Sequence, residues 1–329
     1  MSDRYPRQEI LAEVGESGQR TLQASRVLVI GAGGLGCPAL QYLAGAGVGS
    51  LDIVDADQVE ITNLHRQPLY GENTLGQPKA DAAAAYVRNL NPEVRATPHR
   101  ALLTPDNAGA LLEAADVALD CADSFAATYV LSDACAQSAK PLISASALGL
   151  QGYAGGFCGG APSVRAVFPD LPNNLATCAS AGVLGPVVGL LGSLQAQMTL
   201  QVLLRTEPSP LGQMVTFDST RFRFSTFRFD GAPEPTGNAF SFIAVSAIRT
   251  DDFVVELRGE EEAPTPVTAS AVRATVSDFE TADVVPAAGR RAVLCCRSGL
   301  RAWRAAAALQ RYADNPIALV AAGDAPREA

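Results

Sequence analysis

At 329 residues the chain is about twice the usual domain length, which sets the expectation of one large domain and one small one. Apolar residues make up 48% and charged residues 18%, enough to build a core and too apolar for a disordered chain. The 25 Lys and Arg against 34 Asp and Glu leave a net charge of -9 with no basic block, which argues against a nucleic-acid or anionic-membrane binder.

The opening MSDRYPRQEI has charges with no apolar stretch behind them, so no secretory signal is read and the cytoplasm is the expected compartment. An amphipathic helix is predicted over Arg7–Leu22, and strands and helices then alternate. RVLVI at 26–30 is a continuous apolar run, the pattern of a parallel strand covered on both faces. There follow a helix over 35–46, a strand at 50–55, a helix over 77–89, a strand at 94–98, a helix over 105–114, a strand at 116–121, a helix over 125–138 and a strand at 141–146. This order is that of an α/β fold with a doubly wound, mostly parallel sheet. Beyond Leu150 the stretches LQGYAGGFC, VRAVF, QMVTF and RFRFSTFRF suggest an antiparallel extension, interrupted by a long helix from about Pro186. The apolar run Gly182–Leu204 has membrane-spanning length, but Gln195, Gln197 and Gln201 on one side and the lack of flanking cations favour a buried core helix. A first domain over 1–230, a Pro- and Gly-containing linker over 231–249 and a smaller α/β domain over 250–329 are expected. The last contains strands FVVEL and RRAVLCC, a helix over 300–312 and strand IALVAA.

Seven scattered cysteines, an odd number in a chain expected to be cytoplasmic, argue against a disulfide framework. No CxxC pair occurs, and two histidines make a tetrahedral zinc site hard to assemble.

Gly31-Ala32-Gly33-Gly34-Leu35-Gly36 fits GxGxxG between a strand and a helix, where unpaired amides and the helix dipole receive a phosphate. Asp55, ending the second strand, stands where an acid accepts from ribose hydroxyls. Alone, these features favour an NAD-dependent oxidoreductase, with a purely structural turn as the alternative. Asp57, Asn63, Arg66 and Gln67 in VDADQVEITNLHRQ lie directly beyond that strand, and hydride transfer has no need of them. A guanidinium there neutralises phosphate charge during bond breaking, Lys79 adds a second cation, and Asp123 beyond strand DVALDC is placed to hold Mg2+. Each alone reads equally well as a surface charge or helix cap; their joint placement at strand ends does not.

The segments RYPRQEIL, RVLVIGAGGLGCPALQYLAGAGVGSLDIVDADQVEITNLHRQ, GQPKADAA, LDCADS and TCASAGVLGPVVGLLGSLQA together resemble the ThiF/MoeB adenylyltransferases, prokaryotic relatives of ubiquitin-activating enzymes, over about residues 4–230. The resemblance implies ATP-dependent adenylylation of the C-terminal glycine of a ubiquitin-like sulfur carrier ending in Gly-Gly. By resemblance, Asp55 binds ribose, Asn63, Arg66 and Lys79 the phosphates and Asp123 the Mg2+, while Arg7 reaches a neighbouring subunit's nucleotide and so implies a homodimer. Many members carry two zinc-binding CxxC pairs, absent from CGGAPSVRAVFPD and FRFDGAPEPTG here, so a structural zinc is not expected and packing is expected to hold the segment that follows. Cys178 matches the family's conjugating or sulfur-accepting cysteine, with a small buried residue as the alternative; Cys37, Cys121, Cys135 and Cys158 read as packing.

In the second domain CRSGLR, at 296–301, resembles the active-site loop of rhodanese sulfurtransferases, in which the cysteine carries a persulfide. Amides of a strand-loop-helix turn, with Arg297 and Arg301, are expected to favour the Cys296 thiolate, whereas Cys295 points the other way into core. Glu256 stands where Asp is usual, and the Gly-His segment usual between these features is missing, so the domain is either a shortened sulfurtransferase or a docking module. A cysteine desulfurase is one donor such a thiol would accept. Two alternatives to the adenylyltransferase stay open: a non-catalytic scaffold for a ubiquitin-like protein, and a related tRNA-modifying dehydratase.

Overall fold

The computed structural model describes residues 4–170, 182–236 and 240–323. By its contacts the chain divides into one unit of Met1–Leu103, Ala108–Asp123 and Leu131–Glu234, and a second of Thr104–Asn107, Ser124–Val130 and Pro235–Ala329.

In the first unit the apolar runs form the middle of an eight-stranded sheet. Its strands are β1 (Arg26–Ile30), β2 (Ser50–Val54), β3 (Arg95–His99), β4 (Val117–Asp120), β5 (Pro141–Leu148), β6 (Gln151–Cys158), β7 (Gln213–Asp218) and β8 (Arg223–Arg228). They lie in the order β3-β2-β1-β4-β5-β6-β7-β8, parallel from β3 to β5 and antiparallel from β5 to β8. Val27, Leu28 and Val29 are fully buried, as their unbroken apolar run requires. The chain leaves β1 toward β2 on one side and β4 on the other, so the crevice beyond their C-terminal ends is the switch point where ligands enter such sheets.

Two elements of the first unit differ from expectation. The single helix over Arg7–Leu22 is two, α1 (Pro6–Glu9) and α2 (Gly15–Ala24). Ile10 and Leu11, inside the predicted helix, are 79% and 53% exposed, and Gly15 at the start of α2 has φ +56, which breaks the helical run. VRAVF, read as a strand, is a helical turn over Val164–Val167. The Ser163 side chain caps it by accepting from the Ala166 amide, and Arg165 forks onto Asp133 at 2.6 and 2.8 Å. Ser163 in turn donates its amide and hydroxyl to Glu234 at 2.7 and 2.6 Å, so polar contacts join packing in fixing this stretch.

The helix Gly185–Leu204 is, among the described residues, the one helix long and apolar enough to cross a membrane, and it packs on the sheet as a core helix. Gln195 decides this. It is fully buried, its amide donates to the carbonyls of Asp120 and Ile143 at 2.7 and 3.3 Å, and its oxygen faces the Cys121 thiol at 3.4 Å. A Cβ on Gly192 would lie 2.2 Å from the Leu35 carbonyl, so only glycine permits this approach to α3 (Gly36–Gly45).

The second unit has a parallel sheet of β9 (Ser241–Phe242), β10 (Phe253–Glu256), β11 (Val272–Arg273), β12 (Ala292–Cys296) and β13 (Ile317–Ala321), in the order β11-β10-β12-β13-β9. β9 lies inside the stretch read as linker. Val254, Val293, Cys295, Ala318 and Val320 form its core. At the end of β10 the fully buried Glu256 pairs with Arg258 at 2.8 Å and accepts from the Val267 amide at 3.0 Å. Burial raises the Glu256 carboxyl, but the Arg258 bonds and two backbone amides outweigh it and hold the group below its ordinary value.

Glu256→Gln leaves the Arg258 guanidinium buried without its counter-charge and is expected to cost the second unit about 3 kcal/mol or more. Because the folded-state value is depressed, the carboxylate's stabilisation is fully present above the unfolded value near 4.5 and is lost as pH falls through the lower folded one. Denaturation followed by the chain's single tryptophan, Trp303 beside Phe240, checks both; an unchanged midpoint contradicts them.

Candidate functional site

The site is built where β1, β2 and β4 end. Gly31 has φ +94, and a Cβ on Gly36 would lie 2.0 Å from the Gly31 carbonyl, so both glycines are needed for the chain to turn from β1 into α3. The turn is held from β2: one Asp55 oxygen accepts the Ala32 amide and the other the Asp57 amide, each at 2.8 Å. Burial pushes the Asp55 carboxyl above its ordinary value, although nearby Lys79 and the two amides pull it down. Each oxygen keeps lone-pair capacity for a further donor such as a hydroxyl.

The cations come from the segment between β2 and α4 (Lys79–Leu90). Lys79 donates its amide to the Asp57 carbonyl and its Nζ to the Asp57 carboxylate, both at 2.8 Å. The Lys79 side chain is 8% exposed against 69% for Asp57, so the ammonium is delivered from inside to a carboxylate facing solvent. Arg66 Nη1 donates to the Thr62 carbonyl at 3.0 Å and lies 2.8 Å from His65 Nε2, which leaves the rest of the guanidinium fork for an anion. The buried Asn63 uses its carbonyl oxygen to cap its own turn, accepting the Glu60 amide at 3.1 Å, and its NH2 is the group that can donate to a ligand. Gln67 is 3% exposed and its side-chain oxygen has no partner among the described residues, while its amide nitrogen faces Gly33. An orphaned acceptor beside a glycine turn fits a ligand that brings a hydrogen-bond donor such as a hydroxyl.

Asp123 is exposed just past β4, whereas Asp120 is buried and takes the Ser144 hydroxyl at 2.8 Å and the Ala122 amide at 3.2 Å. Among the described residues no group of three or more His, Cys, Asp or Glu gathers into a metal site. A single carboxylate suits Mg2+, which keeps several waters and is completed by substrate phosphates. Arg7 is exposed on α1, and Cys178 lies outside the described residues. Cys37, Cys121, Cys135 and Cys158 are buried thiols, and Cys37 is pushed up to about 12 by burial.

In the second unit Cys296 ends β12, and its sulfur accepts the Ala302 amide at 3.4 Å. The expected thiolate is corrected. Burial raises this thiol above its ordinary value, and the Ala302 amide and Arg301 reduce that rise without reversing it. Arg301 is itself engaged, with Glu262 at 2.5 Å and the Leu257 carbonyl at 2.9 Å.

Two residues important to this geometry are given no role by the motifs. Gln195 lies in the segment TCASAGVLGPVVGLLGSLQA but stands out there only as a polar residue in an apolar helix. Tyr70, whose hydroxyl lies 2.7 Å from the Ala32 carbonyl, follows the RQ motif without belonging to it.

Residues 5–238 match the description of the ThiF family. The chain belongs to the ThiF family. It is 44% identical over 233 residues to the adenylyltransferase and sulfurtransferase MOCS3 of Anopheles gambiae, covering 68% of this chain and 52% of that one. It is 46% identical over 228 residues to MOCS3 of Bos taurus (68% and 50%), and 45% identical over 236 residues to the adenylyltransferase and sulfurtransferase uba4 of Aspergillus terreus (67% and 49%). It thus spans about half the length of these curated relatives. Among solved structures, E. coli MccB with ATP is similar at a TM-score of 0.60 and 21% identity, over 70% of this chain and 72% of that one, a likeness of fold.

Proposed function

We propose that this ThiF-family chain is a cytoplasmic adenylyltransferase that activates the C-terminal glycine of a ubiquitin-like sulfur carrier and whose second unit handles sulfur. One observation carries the reading: a buried lysine and a half-exposed arginine are delivered to the mouth of a glycine turn whose neighbouring carboxylate, Asp55, keeps room for a hydroxyl donor. Such a site suits a nucleoside triphosphate that is cleaved at phosphate, and the names of the MOCS3 and uba4 relatives agree with it.

The chemistry asks little of the protein by way of proton transfer. A C-terminal carboxylate, ionised at pH 7 with a reference pKa of about 3.5, attacks the α-phosphate of ATP without a general base. The new bond is carboxyl oxygen to α-phosphorus, the bond from that phosphorus to the bridging oxygen breaks, and pyrophosphate leaves with its electron pair. Gly33 and Gly34 amides at the start of α3 hold the phosphates, and Asp55 accepts from the ribose. Lys79 and Arg66, with Gln67 and the NH2 of Asn63 as further donors, stabilise charge on the departing group. Mg2+, held by Asp123 and the phosphates, would supply further charge neutralisation when bound. Arg7 serves the nucleotide of a second copy, which makes the working unit a homodimer, and no structural zinc is required.

With carrier and MgATP, labelled pyrophosphate is expected to exchange into ATP, and Arg66→Ala, Lys79→Ala or Asp123→Ala to lower the rate by about a hundredfold or more. No carrier-dependent exchange by the wild type would leave a scaffold as the better reading. Mixing inactive Arg7→Ala and Asp123→Ala subunits should restore part of the rate, since one hybrid site recovers both residues. A fully active monomer by light scattering contradicts the shared site.

For sulfur, the Cys296 thiolate takes the outer sulfur of thiosulfate or of a cysteine-desulfurase persulfide; with thiosulfate, sulfite leaves and a Cys296 persulfide remains. Because burial raises this thiol, labelling is expected to accelerate as pH rises from 7 toward and past its ordinary value of 9.0. Intact-mass analysis reads the added sulfur. Equal labelling of Cys296→Ala would make the second unit a docking module.

A further inference from the structure

We propose that Tyr70 is a positioning residue that locks the glycine turn to the helix carrying Lys79, so that the nucleotide meets both as one rigid cradle; the inference rests on the adenylyltransferase reading.

The phenol is 6% exposed. Its hydroxyl donates to the Ala32 carbonyl at 2.7 Å and lies 3.3 Å from the Lys79 carbonyl, reaching segments 38 and 9 residues away. The Ala32 amide is already held by Asp55 at 2.8 Å, so with Tyr70 on its carbonyl the residue is fixed at both polar groups. That sets the direction of the Gly33 and Gly34 amides that follow. Lys79 is likewise held, by the Asp57 carbonyl at its amide and by the Asp57 carboxylate at Nζ. Asp57 in turn donates its amide to Asp55, so Asp55, Ala32, Tyr70, Lys79 and Asp57 close a ring of contacts. Tyr70 also donates its own amide to the Gln67 carbonyl at 3.1 Å, which ties the ring to the turn carrying Arg66. Remove the hydroxyl and, among the described residues, the other side-chain donor to the Ala32 carbonyl is the Cys37 thiol at 3.5 Å, a weak one. The two halves of the cradle then adjust separately, and a ligand that needs both must order them as it binds.

Tyr70→Phe keeps the ring and deletes only this link. Calorimetric titration of the full chain with MgATP is expected to show a Kd raised by about tenfold. In pyrophosphate exchange the KM for ATP should rise by a similar factor while the KM for the carrier stays unchanged. A purely structural role would instead lower the binding stoichiometry and the maximal rate together, with Kd and both KM values at wild-type levels, and that result overturns the inference. A second measurement needs no variant: in hydrogen exchange of the wild-type protein, the Ala32 and Lys79 amides should open together, with protection within about threefold of each other, and unrelated protection would also overturn it. If the wild type binds no MgATP, the adenylyltransferase reading fails first. If it binds MgATP and Tyr70→Phe binds it equally well, only the role of Tyr70 fails.

Discussion

A carboxylate that accepts two backbone amides is the point from which the rest of the site is hung. Asp55 holds Ala32 of the glycine turn and Asp57 of the next loop with separate oxygens, so the turn out of β1 and the loop out of β2 cannot move apart without losing one of these two hydrogen bonds. From Asp57 the frame passes to Lys79, and from Ala32 it passes to Tyr70. The arrangement places an ammonium and the glycine-turn amides at the C-terminal ends of the central strands, held by the partly buried Asp55 and the solvent-facing Asp57.

Beneath those strand ends the long helix performs the corresponding service for the sheet. Its apolar surface fills the core, but the buried amide of Gln195 satisfies carbonyls of β4 and β5 at the place where Cys121 and Asp123 follow. An apolar residue at 195 would remove this donor from both carbonyls. The same reasoning explains why this helix, long enough for a membrane, belongs to a core.

The glycine turn, the succession of strands and helices in the first unit and the acidic and basic residues after β2 are legible in the chain because each is local: a few consecutive residues set the backbone and their neighbours in sequence are their neighbours in space. Lys79 was legible as a cation, but its pairing with Asp57 spans 22 residues and its burial needs the folded loop. VRAVF shows the opposite failure. Its alternation and β-branched residues suit a strand, but a serine cap and an arginine fork onto Asp133 make it a helical turn.

The sequence by itself determined the α/β order, the phosphate-binding turn and the residue types that line it, since these follow from periodicity, glycine sterics and charge. Tertiary structure decided which polar groups share partners and which are withdrawn from water. Arg297 and Arg301 in CRSGLR suggest an ionised thiol, yet the folded chain buries Cys296 and commits Arg301 to Glu262, so desolvation prevails over the loop's donors. Tyr70 is silent in sequence and central in the fold for the same reason: a hydroxyl's effect depends on the acceptors that distant segments bring to it.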